Sequence, residues 1–220
     1  MSTDYTTIRW KLMNKPKTLT KKDIVALTDL ITEKLGYEAP DKPPKAPKKK
    51  KESKGRKQAT PKDDPYQEVF KRSPNQGGAI TPKYIVIHDS YGSHDGTRAW
   101  ILDDASNVSY HYLIDSKGNR TQFVADRKRA WHAGKSKWKG KTGLNGTSIG
   151  VAFWGNTYER TPNTKEIDSC ARKCIYLMKK FNIGIDGILT HAMIAPGRKT
   201  DTSPETHEKV LAKVRKLLGD

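Results

Sequence analysis

Tyr84-Ile85-Val86-Ile87-His88-Asp89-Ser90 sets four apolar, strand-favouring residues directly before two side chains that can do chemistry. A short continuous apolar run, too brief for an amphipathic helix, reads as a strand buried on both faces of a sheet. Working outward, Thr97 to Ala105 can form a helix and Val108 to Asp115 alternates as a second strand. Lys117-Gly118-Asn119 is then a hairpin turn into Thr121–Val124. Ser148 to Trp154 is another buried strand, and Ile188-Leu189 is a last short one that ends at His191. Between Thr164 and Phe181, Ile167, Cys170, Ala171, Cys174, Met178 and Phe181 fall on one helical face. A closing helix begins at Ser203-Pro204-Glu205, with Ser203 as N-cap and Pro204 at the first helical position. Buried strands interleaved with helices predict the α/β class, a central mixed β-sheet flanked by helices.

The rest of the chain reads differently. Of 220 residues, 42 are Lys or Arg and 24 Asp or Glu, a net charge of +18 that is unevenly spread. Residues 42–62 carry ten basic side chains and one acid, Glu52, so half the net charge lies in 21 residues with no apolar side chain larger than Ala. Such a stretch buries no core and repels itself, which predicts an extended Lys/Pro-rich linker over residues 41–76. Ahead of it, Thr20 is a plausible N-cap, and Ile24, Leu27, Leu30, Ile31 and Leu35 are at helical spacing before Gly36. Residues 1–40 are therefore expected to be a small helical module, and residues 77–220 the main domain. Five Trp, nine Tyr and four Phe exclude a wholly disordered chain. Two cysteines exclude a disulfide framework; Cys170 and Cys174 sit four apart on the apolar helix face and read as reduced core thiols. No apolar run reaches the roughly 20 residues a membrane helix needs. Ser-Thr-Asp-Tyr after Met1 carries no secretory signal, so the expectation is a chain made in the cytoplasm.

Three residues stand at the ends of elements in a suggestive way. His88 closes the first strand, His191 the last, and Asp201 follows ten residues on in a loop with Pro and Gly. Two imidazoles and a carboxylate are a catalytic type of zinc set, because three protein ligands leave the fourth tetrahedral position for water. Spacing by itself does not select them from six histidines.

The words around them do. YIVIHDS (84–90), VSYHYLIDSKGNRTQFV (108–124), AWHAGKSKW (130–138), LNGTSIGVAFWG (144–155) and ILTHAMIAPGRKTD (188–201) occur in this order. Together they resemble the zinc-dependent N-acetylmuramoyl-L-alanine amidases, the peptidoglycan-recognition-like fold of phage endolysins, bacterial amidases and animal recognition proteins, over residues 77–220. The resemblance implies one Zn2+ per domain on His88, His191 and Asp201, the last replaced by Cys in some members. It implies that Lys199 stands beside the metal and that Tyr110 matches a tyrosine of the phage-type enzymes, although a core aromatic fits Tyr110 equally. Trp131 and His132 match a word beside the substrate groove, so His132 is expected to touch glycan or peptide; a histidine packed beneath the groove fits as well. Asn145 either touches substrate or holds a loop. His111 alternates away from Tyr110 and reads as structural, and His94 and His207 as surface residues. One position departs: many members carry a glutamate general base in the SIG(V/I)E word, and here that place is Ala152.

The implied activity is hydrolysis of the amide between N-acetylmuramic acid and L-alanine in bacterial peptidoglycan. A monomeric phage endolysin that waits in the host cytoplasm and reaches the wall after holin action is the leading role. The alternatives are a cytoplasmic muropeptide-recycling amidase and a noncatalytic recognition module, the latter opposed by retention of all three ligands. The basic linker is expected to favour anionic envelope polymers. It would hold nucleic acid only non-specifically, since it lacks the aromatics that interleave with bases.

Overall fold

The computed structural model describes residues 64–219 and, as backbone, the strand Arg56–Lys57. The expected module at 1–40 and the rest of the basic stretch at 42–62 lie outside the described residues. Residues 52–220 form one unit of the chain and residues 1–51 another.

A seven-stranded mixed sheet is the centre of the domain. Its strands are β1 (Arg56–Lys57), β2 (Glu68–Phe70), β4 (Tyr84–Asp89), β5 (Tyr112–Ile114), β6 (Arg120–Gln122), β10 (Ser148–Phe153) and β11 (Ile188–Thr190). They lie in the order β1-β2-β6-β5-β10-β4-β11. The β5-β10, β10-β4 and β4-β11 pairs are parallel, whereas β5 and β6 run antiparallel through the Lys117–Asn119 turn. Two ribbons complete the strands: β3 (Gln76–Ala79) with β7 (Lys128–Ala130), and β8 (Lys137–Trp138) with β9 (Lys141–Thr142). The helices are α1 (His94–Leu102), α2 (Thr164–Phe181), α3 (His191–Ile194) and α4 (Pro204–Leu218). None of the described helices is long and apolar enough to cross a membrane.

Strand alternation divides the core into layers. Ile85 and Ile87 of β4, Ile149, Val151 and Phe153 of β10, and Tyr112 and Ile114 of β5 face α2 and α4. Those helices return Ile167, Cys170, Ala171, Cys174 and Leu177, and Val210, Leu211 and Val214. Val86, Leu113, Ala152 and Leu189 face the other way, into two smaller clusters beneath α1, α3 and the 131–146 loop. His88 alternates with Ile87 and so belongs to this second face, the face that carries the site. α2 spans the residues expected for it, and its ends are closed by a full capping box of Asn163 with Glu166 and by Asn182 in the left-handed conformation. At α4, Ser203 Oγ accepts from the Thr206 amide at 3.3 Å.

Three boundaries differ from expectation. Residues 64–76, assigned to the linker, fold onto the domain: β2 pairs in parallel with β6, and Glu68 and Asp64 both bind the buried Arg120. The strand expected over 108–115 is confined to 112–114, because the Ser109 amide turns to Trp131 O and the His111 amide to Gly150 O. The helix expected from Thr97 begins at His94, capped by Ser93 Oγ, which accepts from the Gly96 amide at 3.1 Å, and ends at Leu102.

Candidate metal centre

Neighbouring strands bring the three expected ligands together. His88 is the fifth residue of β4. His191 opens α3 directly after β11, the strand paired beside β4. Asp201 lies on the loop between α3 and α4, held by the Ala192 amide donating to its carbonyl at 2.6 Å. All three are buried. His88 Nδ1 is 3.1 Å from His191 Nδ1 and 3.2 Å from Asp201 Oδ2, and His191 Nδ1 is 3.1 Å from the same oxygen. Among the described residues this is the one such group of His, Cys and acidic side chains.

Their outer hydrogen bonds decide what the inner atoms carry. His191 Nε2 faces the Ala133 carbonyl at 3.2 Å, which only accepts, so the proton is on Nε2 and Nδ1 keeps its lone pair. His88 Nε2 faces His132 Nδ1 at 2.9 Å, and His132 Nε2 in turn faces the Ser148 carbonyl at 3.4 Å. The neutral arrangement that satisfies that chain puts a proton on His88 Nε2 and a lone pair on its Nδ1. Burial holds the His88 imidazole neutral, pushing its pKa down to about 4 despite Asp201; His191 and Lys199 add to the fall. Burial alone would raise the Asp201 carboxyl, but the close approach of the His191 and His88 rings outweighs it and holds it well below the usual carboxylate range. Three acceptors thus converge at 3.1–3.2 Å, and Asp201 Oδ1 is buried without a partner. A tetrahedral ion with bonds of about 2.0 Å has ligand edges of about 3.3 Å, so the set fits a small divalent cation.

The cleft above the centre has a volume of about 500 Å³ and is lined by Tyr110, Trp131, Asn145 and Lys199, among others. Lys199 is exposed two residues before Asp201. The Tyr110 ring lies 5.1 Å from the His88 ring, and its hydroxyl donates to Asp89 O at 3.4 Å. Burial, with Asp201 and Asp89 nearby, pushes the Tyr110 phenol well up, so it keeps its proton.

Other expectations change. His132 is 5% exposed at the cleft and both its ring nitrogens bond inside the protein, which fits the packed one of the two readings. Asn145 holds a loop: its Oδ1 accepts the His132 and Ala133 amides at 3.1 and 2.7 Å. Tyr110 precedes the strand, so alternation does not separate it from His111. The His111 ring lies on the same side, 5.7 Å from that of His132, between the Gly150 amide and Lys128 O. His207 bonds Ile188 O at 3.0 Å instead of facing solvent freely.

Sequence reasoning passed over two residues. The Asp89 carboxylate accepts from Thr157 N, Thr157 Oγ1 and Thr202 Oγ1, each at 2.8 Å, clamping the loop that carries Asp201. Arg198 donates to Ala133 O at 2.9 Å and to Lys135 O at 2.7 Å, stapling the Trp131-His132-Ala133-Gly134 turn to the ligand loop. Both lie inside the quoted words, but nothing in a linear word tells a clamp from a ligand.

Residues 78–204 match the family of N-acetylmuramoyl-L-alanine amidases. The chain belongs to this family. It is 31% identical over 137 residues to the N-acetylmuramoyl-L-alanine amidase AmiD of Escherichia coli K12, covering 56% of this chain and 49% of AmiD. The solved structure of AmiD from E. coli in complex with the substrate anhydro-N-acetylmuramic acid-L-Ala-D-gamma-Glu-L-Lys superposes with a TM-score of 0.51 at 27% identity, over 67% of this chain and 64% of that one. The 1,6-anhydro-N-acetylmuramyl-L-alanine amidase AmpD of Salmonella typhimurium SL1344 is 36% identical over 97 residues, 44% of this chain and 51% of AmpD. The amidase-family chain thus spans about half the length of the curated relatives it matches. A mutant endolysin from Bacillus subtilis shares the fold, with a TM-score of 0.56 at 20% identity over 68% of this chain and 99% of that one.

Proposed function

We propose that this chain is a zinc-dependent N-acetylmuramoyl-L-alanine amidase. The observation that carries the reading is the convergence of His88 Nδ1, His191 Nδ1 and Asp201 Oδ2, three acceptors 3.1–3.2 Å apart at the floor of a cleft. These residues would hold one zinc ion, which supplies Lewis acidity at the scissile carbonyl and acidifies water at neutral pH. Lys199, cationic and at the cleft surface, stabilises negative charge that develops on the amide oxygen. Tyr110, whose phenol keeps its proton, orients the attacking water or gives a proton to the departing L-alanine amine. Trp131 forms part of the cleft wall against which the sugar or stem peptide packs.

The substrate is bacterial peptidoglycan, and the role we favour is endolysin-like lysis of the intact wall. Support comes from the charge: residues 42–62 add +9 to a domain that is itself basic, and both are drawn to anionic envelope polymers in a salt-dependent way. A second reading, trimming of soluble anhydro-muropeptides, is favoured by the name of the AmpD relative and by the anhydro-muropeptide substrate in the AmiD complex.

Both readings are tested by giving zinc-loaded protein either purified sacculi or a soluble anhydro-muropeptide, then identifying products by mass spectrometry. Free L-alanine amino termini with intact glycan support the amidase; new reducing ends refute it. Equal lysis by wild type and His191→Ala sinks the metal reading. Cleavage of the soluble fragment without release from sacculi assigns the second role.

A further inference from the structure

We infer that His132 is a positioning residue for the metal centre: it fixes the tautomer and ring orientation of His88, so that the His88 Nδ1 lone pair faces Asp201 and His191. The inference rests on the zinc reading above and adds a residue behind the ligand set.

His132 Nε2 meets only acceptors. One is the Ser148 carbonyl at 3.4 Å. The other is Ser148 Oγ at 3.3 Å, whose own proton is committed to Leu144 O at 2.7 Å. Nε2 therefore carries the proton, and in the neutral ring Nδ1 is left as an acceptor 2.9 Å from His88 Nε2. That acceptor requires a proton on His88 Nε2, which frees His88 Nδ1. The opposite arrangement would place a proton on His88 Nδ1, within 3.2 Å of both other ligands, and block the centre. The two rings cross at 84° with centroids 5.0 Å apart, so His132 also limits rotation of His88.

The surroundings are shaped for this ring. Gly150 of β10 needs no left-handed backbone, yet a Cβ there would come within 2.7 Å of His132 Cγ and 2.8 Å of its Nδ1. The missing side chain of Gly150 is the space His132 occupies. His111 lies edge-on to the same ring and accepts the Gly150 amide at 3.0 Å. Asn145 fixes the His132 backbone from the far side. Three residues from two of the words, His132, Asn145 and Gly150, thereby converge on one hydrogen bond to His88.

The test uses the full chain loaded with zinc. Long-range 15N–1H NMR reports which imidazole nitrogen of His88 and of His132 carries a proton, and competition with a chelator reports zinc affinity. In the wild type, both rings should be protonated at Nε2. His132→Leu, which keeps bulk but removes the acceptor, should weaken zinc by roughly 10–100-fold. His132→Gln, which restores an acceptor, should recover most of that loss, and Gly150→Ala should resemble His132→Leu by displacing the ring. A His132→Leu protein that is folded and binds zinc as tightly as wild type overturns the inference while leaving the zinc reading intact. Should that variant not fold, the wild-type spectrum decides: a proton on His132 Nδ1 overturns the inference. Wild-type protein that binds no zinc overturns both.

Discussion

Arg120 tests whether residues 64–70 are part of the amidase domain. It is 1% exposed, at the start of β6, and each end of its guanidinium is committed. Nε donates to Glu68 at 2.8 Å, Nη2 to Asp64 at 2.5 Å, and Nη1 to Ser169 O and Oγ at 3.3 and 3.0 Å. Glu68 is held a second time by Lys173 at 2.7 Å, so two cations and two carboxylates balance in one buried cluster. Arg120→Met keeps the stem and removes the charge, leaving Glu68 with Lys173 alone and Asp64 with none of its Arg120 contact. Breaking one member out of a buried pair costs about 3–5 kcal/mol, because the remaining charge is left uncompensated. In a chain of this size each kcal/mol moves the melting temperature by about 2–4 °C, so the expected loss is roughly 6–20 °C. Urea melts followed by tryptophan fluorescence measure the free energy, with an unchanged slope showing that the same core unfolds. Removing residues 1–76 deletes both carboxylates and strand β2 and should cost at least as much, whereas removing residues 1–63 spares them. If Arg120→Met loses less than about 1 kcal/mol, within the range of a surface pair, the cluster does not hold β2 to the sheet.

Three further outcomes follow from the same geometry. Asp168 accepts from Arg172 Nε and Lys213 Nζ, both at 2.7 Å, and from Tyr66 at 3.1 Å; burial would raise its pKa, but these contacts win and lower it. A carboxyl lowered in the fold adds stability that is full at neutral pH and lost as pH falls through and below 3.8, so Asp168→Asn should flatten the acid side of the melting-temperature profile. Lys199→Met should lower kcat by about 100–1,000-fold with zinc content unchanged by metal analysis, as expected for loss of an oxyanion partner. Cys170 and Cys174 are fully buried, so neither thiol should react with a disulfide reagent until denaturant is added, and both should then react.

The sheet was legible in the sequence because it depends on local rules, whereas His88, His191 and Asp201 were picked out only by the family words around them. Tyr84–Ile87 is apolar enough to be a central strand, and strict alternation then sends His88 to the face that carries the site. The α2 face was readable from periodicity, and the α4 start from its capping residue and the proline after it. The failures are non-local. Residues 64–76 look like linker because their anchor, Arg120, is 52 residues from Glu68 in the chain. Val108–His111 looks like strand, but its amides bond residues of two other segments. The word around His132 left groove contact and packing beneath the groove both open; its bond to His88 depends on Gly150 and Ser148, which no spacing rule connects to it.

Ala152 bears on where proton transfer resides. It stands where many family members carry a glutamate, and in the sheet it lies directly across from His88. Among the described residues lining the cleft, the carboxylates are Asp89 and Asp201. Asp89 is engaged by Thr157 and Thr202, and Asp201 belongs to the ligand set, which leaves Lys199 and Tyr110 as the groups placed to handle protons. Restoring the acid should not restore a base. Ala152 is 0% exposed and packs with Leu113, Phe123, Val124 and the partly buried Tyr110, so a glutamate would enter a largely apolar cluster. Overpacking alone should cost about 1–3 kcal/mol, and burial would hold the new carboxyl protonated. Ala152→Glu is therefore expected to melt lower than wild type and to hydrolyse the muramoyl amide no faster at neutral pH, with Lys199→Met equally damaging in either background. A folded Ala152→Glu protein that turns over faster, and in which Lys199→Met then costs little, would show that the cleft accommodates a carboxylate base and would remove proton transfer from Lys199 and Tyr110.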